Sequence, residues 1–92
     1  MSDTIHRSLE IINEKGLHAR AAAKLVEVVE GFDATAEVSR DGQYASGDSI
    51  MGLLMLAASR GTSIEIATSG PDAEALADAL AALVADQFGE DM

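Results

Sequence analysis

The chain has 92 residues, 48% of them hydrophobic and only 3% aromatic, with no cysteine and a formal net charge of −10. That length fits a single domain, 1–92, cored by Leu, Ile, Val, Met and Ala; disulfides, thiolate metal sites and a thiol nucleophile are excluded. The acidic balance disfavours nucleic acid, no apolar run nears the ~20 residues of a membrane helix, and the polar start Met1-Ser2-Asp3-Thr4 lacks a signal-peptide pattern, so the chain reads as cytoplasmic.

From Thr4 to Asn13, Ile5, Leu9 and Ile11 alternate with His6, Ser8 and Glu10, the period of a half-buried strand. Glu14-Lys15-Gly16 is a turn. From Ala19 the period lengthens: Ala22, Leu25, Val29 and Phe32 recur at helical spacing, while Lys24, Glu27 and Glu30 face outward. Gly31 and Asp33 are stop signals. Ala34, Ala36 and Val38 then alternate with Thr35, Glu37 and Ser39. Asp41-Gly42 is a hairpin signal, and Gln43 to Ser46 return as a second strand of the pair.

Gly47-Asp48-Ser49 opens a short apolar helix, expected from about Ile50 to Ser59 with Gly61 as its cap. Ser63 to Thr68 alternates again, with Ile64 and Ile66 inward. Ser69-Gly70-Pro71-Asp72 starts a third helix, Pro near its first position and acids in its first turn. Leu76, Leu80, Leu83 and Val84 stripe it. The ordered core is expected over about 4–88, with fraying beyond Phe88. The order β-α-β-β-α-β-α, with each helix carrying an apolar face, makes an α+β open-faced sandwich: four strands covered on one face by three helices. A ferredoxin-like fold shares most of this order.

Gly16-Leu17-His18-Ala19-Arg20 carries the chemistry. A histidine at the junction of a glycine turn and a helix lies beside backbone N–H groups that have no helical partner, at the positive end of the helix dipole. Such an end binds phosphate. Neutral imidazole is a nucleophile, and phosphoryl transfer asks mainly for positioning and charge stabilisation. Of the six basic residues, Lys15, Arg20 and Lys24 flank His18. The plain alternative is a surface or capping histidine. A metal site has no support, because His6 and His18 are the only histidines and no ligand cluster accompanies them.

Gly16-Leu17-His18-Ala19-Arg20-Ala21-Ala22 resembles the active-site signature of the HPr family, the histidine phosphocarriers of the phosphoenolpyruvate-dependent phosphotransferase system. Gly47-Asp48-Ser49-Ile50-Met51-Gly52-Leu53 is similar to that family's second signature, around a regulatory serine. Ser69-Gly70-Pro71-Asp72-Ala73-Glu74-Ala75-Leu76 looks like its entry to the last helix. The resemblance implies an antiparallel sheet of strand order 1-4-2-3. It also implies a carrier rather than a stand-alone enzyme, needing no cofactor. His18 then takes a phosphoryl group on Nδ1 from enzyme I and gives it to an enzyme IIA domain, with Arg20 as the active-site arginine. Ala21 stands where the family usually has proline. Ser49 matches the serine that a dedicated HPr kinase/phosphorylase modifies.

Helix two is apolar around most of its circumference. Leu53 and Leu56 are expected to face the sheet, leaving Ile50, Met51 and Leu54 exposed. With Lys15, Ala23 and Lys24 they form the expected docking surface for enzyme I and enzyme IIA. The chain is expected to be a monomer. A regulatory HPr-like protein of a nitrogen-related branch, without sugar transport, is the competing reading.

Overall fold

A computed structural model describes residues 4–90. The elements follow the expected order: β1 (Ile5–Glu10), α1 (Ala19–Glu30), β2 (Thr35–Arg40), β3 (Gln43–Ser46), α2 (Ile50–Met55), β4 (Ser63–Ser69) and α3 (Ala73–Ala85), closed by a 3-10 turn at Gln87–Gly89. The four strands form one antiparallel sheet in the order β1-β4-β2-β3. Asp41 and Gly42 both have positive φ, 50° and 81°, as a tight two-residue hairpin between β2 and β3 requires.

The alternation places Ala36, Val38, Ile64 and Ile66 inward, against Ala22, Leu25 and Val29 of α1, Leu53 of α2 and Leu76, Leu80 and Val84 of α3. His6, Ser8, Glu10, Glu37 and Glu65 lie exposed on the other face. Arg7 points inward between Ile5 and Leu9, and its guanidinium reaches out to Asp78 of α3, 2.9 Å away. No helix among the described residues is long and apolar enough to cross a membrane.

Four expectations shift. The first concerns α2, which stops at Met55 rather than running to Ser59, with Leu56 as its cap. Ala57 turns to φ 52°, which breaks the helix, and Arg40 Nη1 donates to the freed Leu56 carbonyl at 3.1 Å. Gly61, at φ 89°, therefore caps nothing; it serves the turn into β4, its N–H bonded to the Ile11 carbonyl. Phe32 lies two residues past the end of α1, half-buried against the core.

Pro71 lies before the cap of α3 rather than inside the helix. The cap is Asp72, whose carboxylate accepts the Asp33 N–H and makes no side-chain capping bond to α3. The last shift concerns the tail. Phe88 is fully buried, and Lys24 Nζ donates to its carbonyl at 2.7 Å, so the chain is still held at Gly89 and Glu90 instead of fraying beyond Phe88. Residues 91 and 92 of that expected tail lie outside the described residues, as do residues 1–3.

Candidate functional site

The site is built where the β1–α1 turn meets the loop after α2. Gly16 has φ 66°, and a Cβ there would come within 2.5 Å of the Ala58 carbonyl oxygen and 2.9 Å of the Ser59 Cα. Only glycine lets the two backbones lie this close. The contact is used: Leu17 donates its N–H to the Ala58 carbonyl at 2.8 Å. Leu17 is buried, which fixes the backbone from which the next side chain leaves.

That next residue, His18, is the N-cap of α1. Its Nδ1 accepts the backbone N–H of Arg20 at 3.3 Å, so the plain capping role and the expected phosphoryl-accepting role fall on the same atom. The unprotonated Nδ1 points at the positive end of a 12-residue helix. Nε2 lies 2.7 Å from Oε2 of Glu90, to which it donates its proton. The imidazole is 25% exposed, enough for a partner to reach it. Arg20 is exposed beside it, and its guanidinium takes part in no ion pair among the described residues.

Glu90 is held in turn. Asn13 is fully buried, and its Nδ2 donates to Oε1 of Glu90 at 2.9 Å and to the Gly16 carbonyl at 2.8 Å. Withdrawal of Glu90 from water pushes its pKa up. Hydrogen bonds from Asn13 and His18, with the electrostatic pull of the imidazole and the Lys15 ammonium, outweigh that and hold the carboxyl below its ordinary value. The histidine, the asparagine and the carboxylate thus form one chain of hydrogen bonds across the turn. Neither Asn13 nor Glu90 was legible as a site residue from local patterns. The one available signal for a docked tail is Phe88, an aromatic two residues before the carboxylate.

The remaining sequence candidates surround this centre. Lys15 is exposed on the turn and Ala23 is half-buried on α1. Lys24 is turned toward the tail by its bond to Phe88. On α2, Leu53 and Leu56 are buried as expected, Ile50 and Met51 are exposed, and Leu54 is half-buried. Met55 and Tyr44 are also exposed, at 76% and 68%, and extend the apolar surface across a shallow depression onto β3. Ser49 caps α2, its Oγ accepting the Gly52 N–H at 3.0 Å. Asp48 beside it accepts from the Ser46 hydroxyl. No group of three or more potential metal ligands occurs among the described residues.

Comparison with known proteins points to one family. The family model for the PTS HPr component phosphorylation site matches residues 5–86. The phosphocarrier protein HPr of Cupriavidus necator is 45% identical over 94% of this chain and 97% of its own length. The phosphocarrier protein NPr of Escherichia coli is 40% identical over 96% and 99%. Among solved structures, HPr-C-His from Thermoanaerobacter tengcongensis superposes with a TM-score of 0.90 at 34% identity, covering 96% of this chain and 99% of that one. HPr from Bacillus anthracis does so with a TM-score of 0.84 at 37% identity, covering 88% and 96%.

Proposed function

Because the chain belongs to the HPr family of phosphocarriers, we propose that His18 is the residue on which it carries the phosphoryl group. The protein passes a phosphoryl group from enzyme I to an enzyme IIA through a histidine, as a carrier rather than a self-contained enzyme. The observation that supports His18 as that histidine is the position of Nδ1, unprotonated and aimed at the first turn of α1.

The transfer follows from that position. The Nδ1 lone pair attacks the phosphorus of phospho-enzyme I; the Nδ1–P bond forms as the donor's N–P bond breaks, and its electron pair returns to the donor nitrogen. The Arg20 N–H, now on Nδ1, is released to a phosphoryl oxygen. The other first-turn N–H groups lack helical acceptors and add to the same cradle. The Arg20 guanidinium brings positive charge to the moving group. The second transfer, to an enzyme IIA domain, reverses these steps onto a new acceptor.

Ile50, Met51 and Leu54, with Lys15, Ala23 and Lys24 toward α1, form the docking surface. Met55 and Tyr44 widen it. Ser49 adjoins this surface, so a phosphate on its hydroxyl, placed by a kinase/phosphorylase, would set a dianion beside Ile50 and Met51 and oppose docking. A cytoplasmic location fits the absence of cysteine and the cytoplasmic chemistry of such carriers.

The test is incubation with phosphoenolpyruvate and enzyme I, followed by intact-mass and peptide mass spectrometry. A single acid-labile phosphate on His18 is expected. Phosphate on His6, or none at all, would overturn the assignment.

A further inference from the structure

Both nitrogens of the His18 ring are engaged, and they are engaged by groups from opposite ends of the chain. Nδ1 accepts from Arg20 at the start of α1, while Nε2 donates to Glu90 beyond α3. A ring held at one nitrogen can swing about its Cβ–Cγ bond. Held at both, it has one orientation. Glu90 is fixed three ways: by Asn13 at Oε1, by the buried Phe88 two residues earlier, and by Lys24 on the Phe88 carbonyl. Its side chain is only 16% exposed, so it is not presented to a partner.

Asn13 gives the second observation. It is fully buried, and its Oδ1 has no hydrogen-bond partner among the described residues. Both groups that its Nδ2 meets are acceptors, so the amide cannot be reversed. Leaving an amide oxygen unpaired in the interior is costly, and packing alone would favour an apolar side chain at this place. The cost is explained if the amide nitrogen is there to hold the carboxylate.

We propose that Glu90, braced by Asn13, is a positioning residue for phosphoryl transfer: it binds Nε2–H so that the Nδ1 lone pair faces the incoming phosphorus. The Nε2 proton stays in place throughout. As Nδ1 gives its lone pair to phosphorus, the ring gains positive charge, and the carboxylate opposes that charge at hydrogen-bond distance. Glu90 therefore acts twice, through geometry before the step and through charge during it. The proposal rests on His18 bearing the phosphate.

Two variants separate the two actions. Glu90→Gln keeps one acceptor oxygen for Nε2–H, removes the charge and turns an amide N–H donor toward Asn13 Nδ2; Glu90→Ala removes the acceptor and the charge. Phosphoryl uptake from enzyme I is expected to keep its KM in each. Its kcat falls by about tenfold in Glu90→Ala, as loss of an orienting partner does, and by less in Glu90→Gln. Nitrogen-15 NMR of the imidazole supplies a readout that mere stability would not move: a slowly exchanging Nε2–H in the natural protein and in Glu90→Gln, lost in Glu90→Ala. Thermal unfolding of each variant shows whether the domain is intact. If Glu90→Ala loses too much stability, Glu90→Gln and Asn13→Asp, whose carboxylate repels Glu90, are read instead; each is then expected to lower kcat at unchanged KM. Natural kcat in every folded variant, with phosphate still on His18, overturns the positioning role and leaves the carrier reading standing. Phosphate absent from His18 overturns both.

Discussion

Leu17 gives its backbone N–H to the Ala58 carbonyl, 2.8 Å away, and so ties the histidine turn to the loop that follows α2. The pairing explains why α2 is short. Had the helix continued to Ser59, the Ala58 carbonyl would have pointed along the helix axis instead of toward Leu17. Gly16 makes the approach possible, and Gly16→Ala is the direct probe. Alanine would need a left-handed φ and would bring a methyl group against backbone. A loss of about 2 kcal/mol or more is expected by chemical denaturation, with transfer slowed as the turn is displaced. Natural stability in that variant would mean the turn relaxes freely.

His18→Ala is expected to abolish the phosphate adduct while the domain stays folded, because the ring lies partly in solvent. Arg20→Ala should leave the melting temperature unchanged and slow uptake by on the order of 10- to 100-fold, the usual effect of removing a group that stabilises developing charge. Rapid-quench assays with phospho-enzyme I measure this. An unchanged rate would make Arg20 an ordinary surface cation.

Met51→Glu and Leu53→Ala should behave oppositely although they are two residues apart. Met51 is 70% exposed and Leu53 is fully buried. The first variant is expected to keep its stability and weaken binding to enzyme I, since a charge must be desolvated on contact. The second is expected to cost about 2–5 kcal/mol through the cavity it leaves. Calorimetry for binding and denaturant titration for folding distinguish them.

Ser49→Ala removes the cap bond to Gly52 and should cost about 1 kcal/mol. Ser49→Asp can still cap α2, so it should recover most of that stability while slowing uptake from enzyme I through its charge beside Met51. Uptake equal to the natural protein, in this variant and in protein phosphorylated at Ser49, would leave the serine as a cap alone.

Glu90 also sets an acid dependence. Its pKa is lower in the folded chain than in the unfolded one, so its contribution is complete above the ordinary carboxylate range and disappears as pH falls through the lowered value. The stability difference between the natural protein and Glu90→Gln should therefore be present above the ordinary carboxylate range and shrink below about pH 4. A difference that persists undiminished at low pH would show that the charge is not its source.

Much of this arrangement is legible in the order of residues. Period-two alternation placed three of the strands, the Asp41-Gly42 pair placed the hairpin and with it the fourth, and the glycine before His18 marked the turn. What escaped was set by distant contacts. Nothing in the residue type of Ala57 signals a positive φ; that conformation follows from what Ala58 must bond. Glu90 reads as one more acid in a polar tail, and only burial of Phe88 brings it to a histidine 72 residues away. Lys24 fits an outward helical position, yet its ammonium turns toward the tail because an unpaired carbonyl lies there.

The position of β4 governs how the chain can fold. It lies between β1 and β2, which do not pair with each other. The first strand, at residues 5–10, therefore has no partner until residues 63–69 arrive, while the β2–β3 hairpin is available much earlier. Closing that long loop costs entropy before any pairing repays it, which favours late completion of the sheet. Until Ser63–Ser69 is available the first strand has no strand to lie against, and the histidine turn that follows it waits with it.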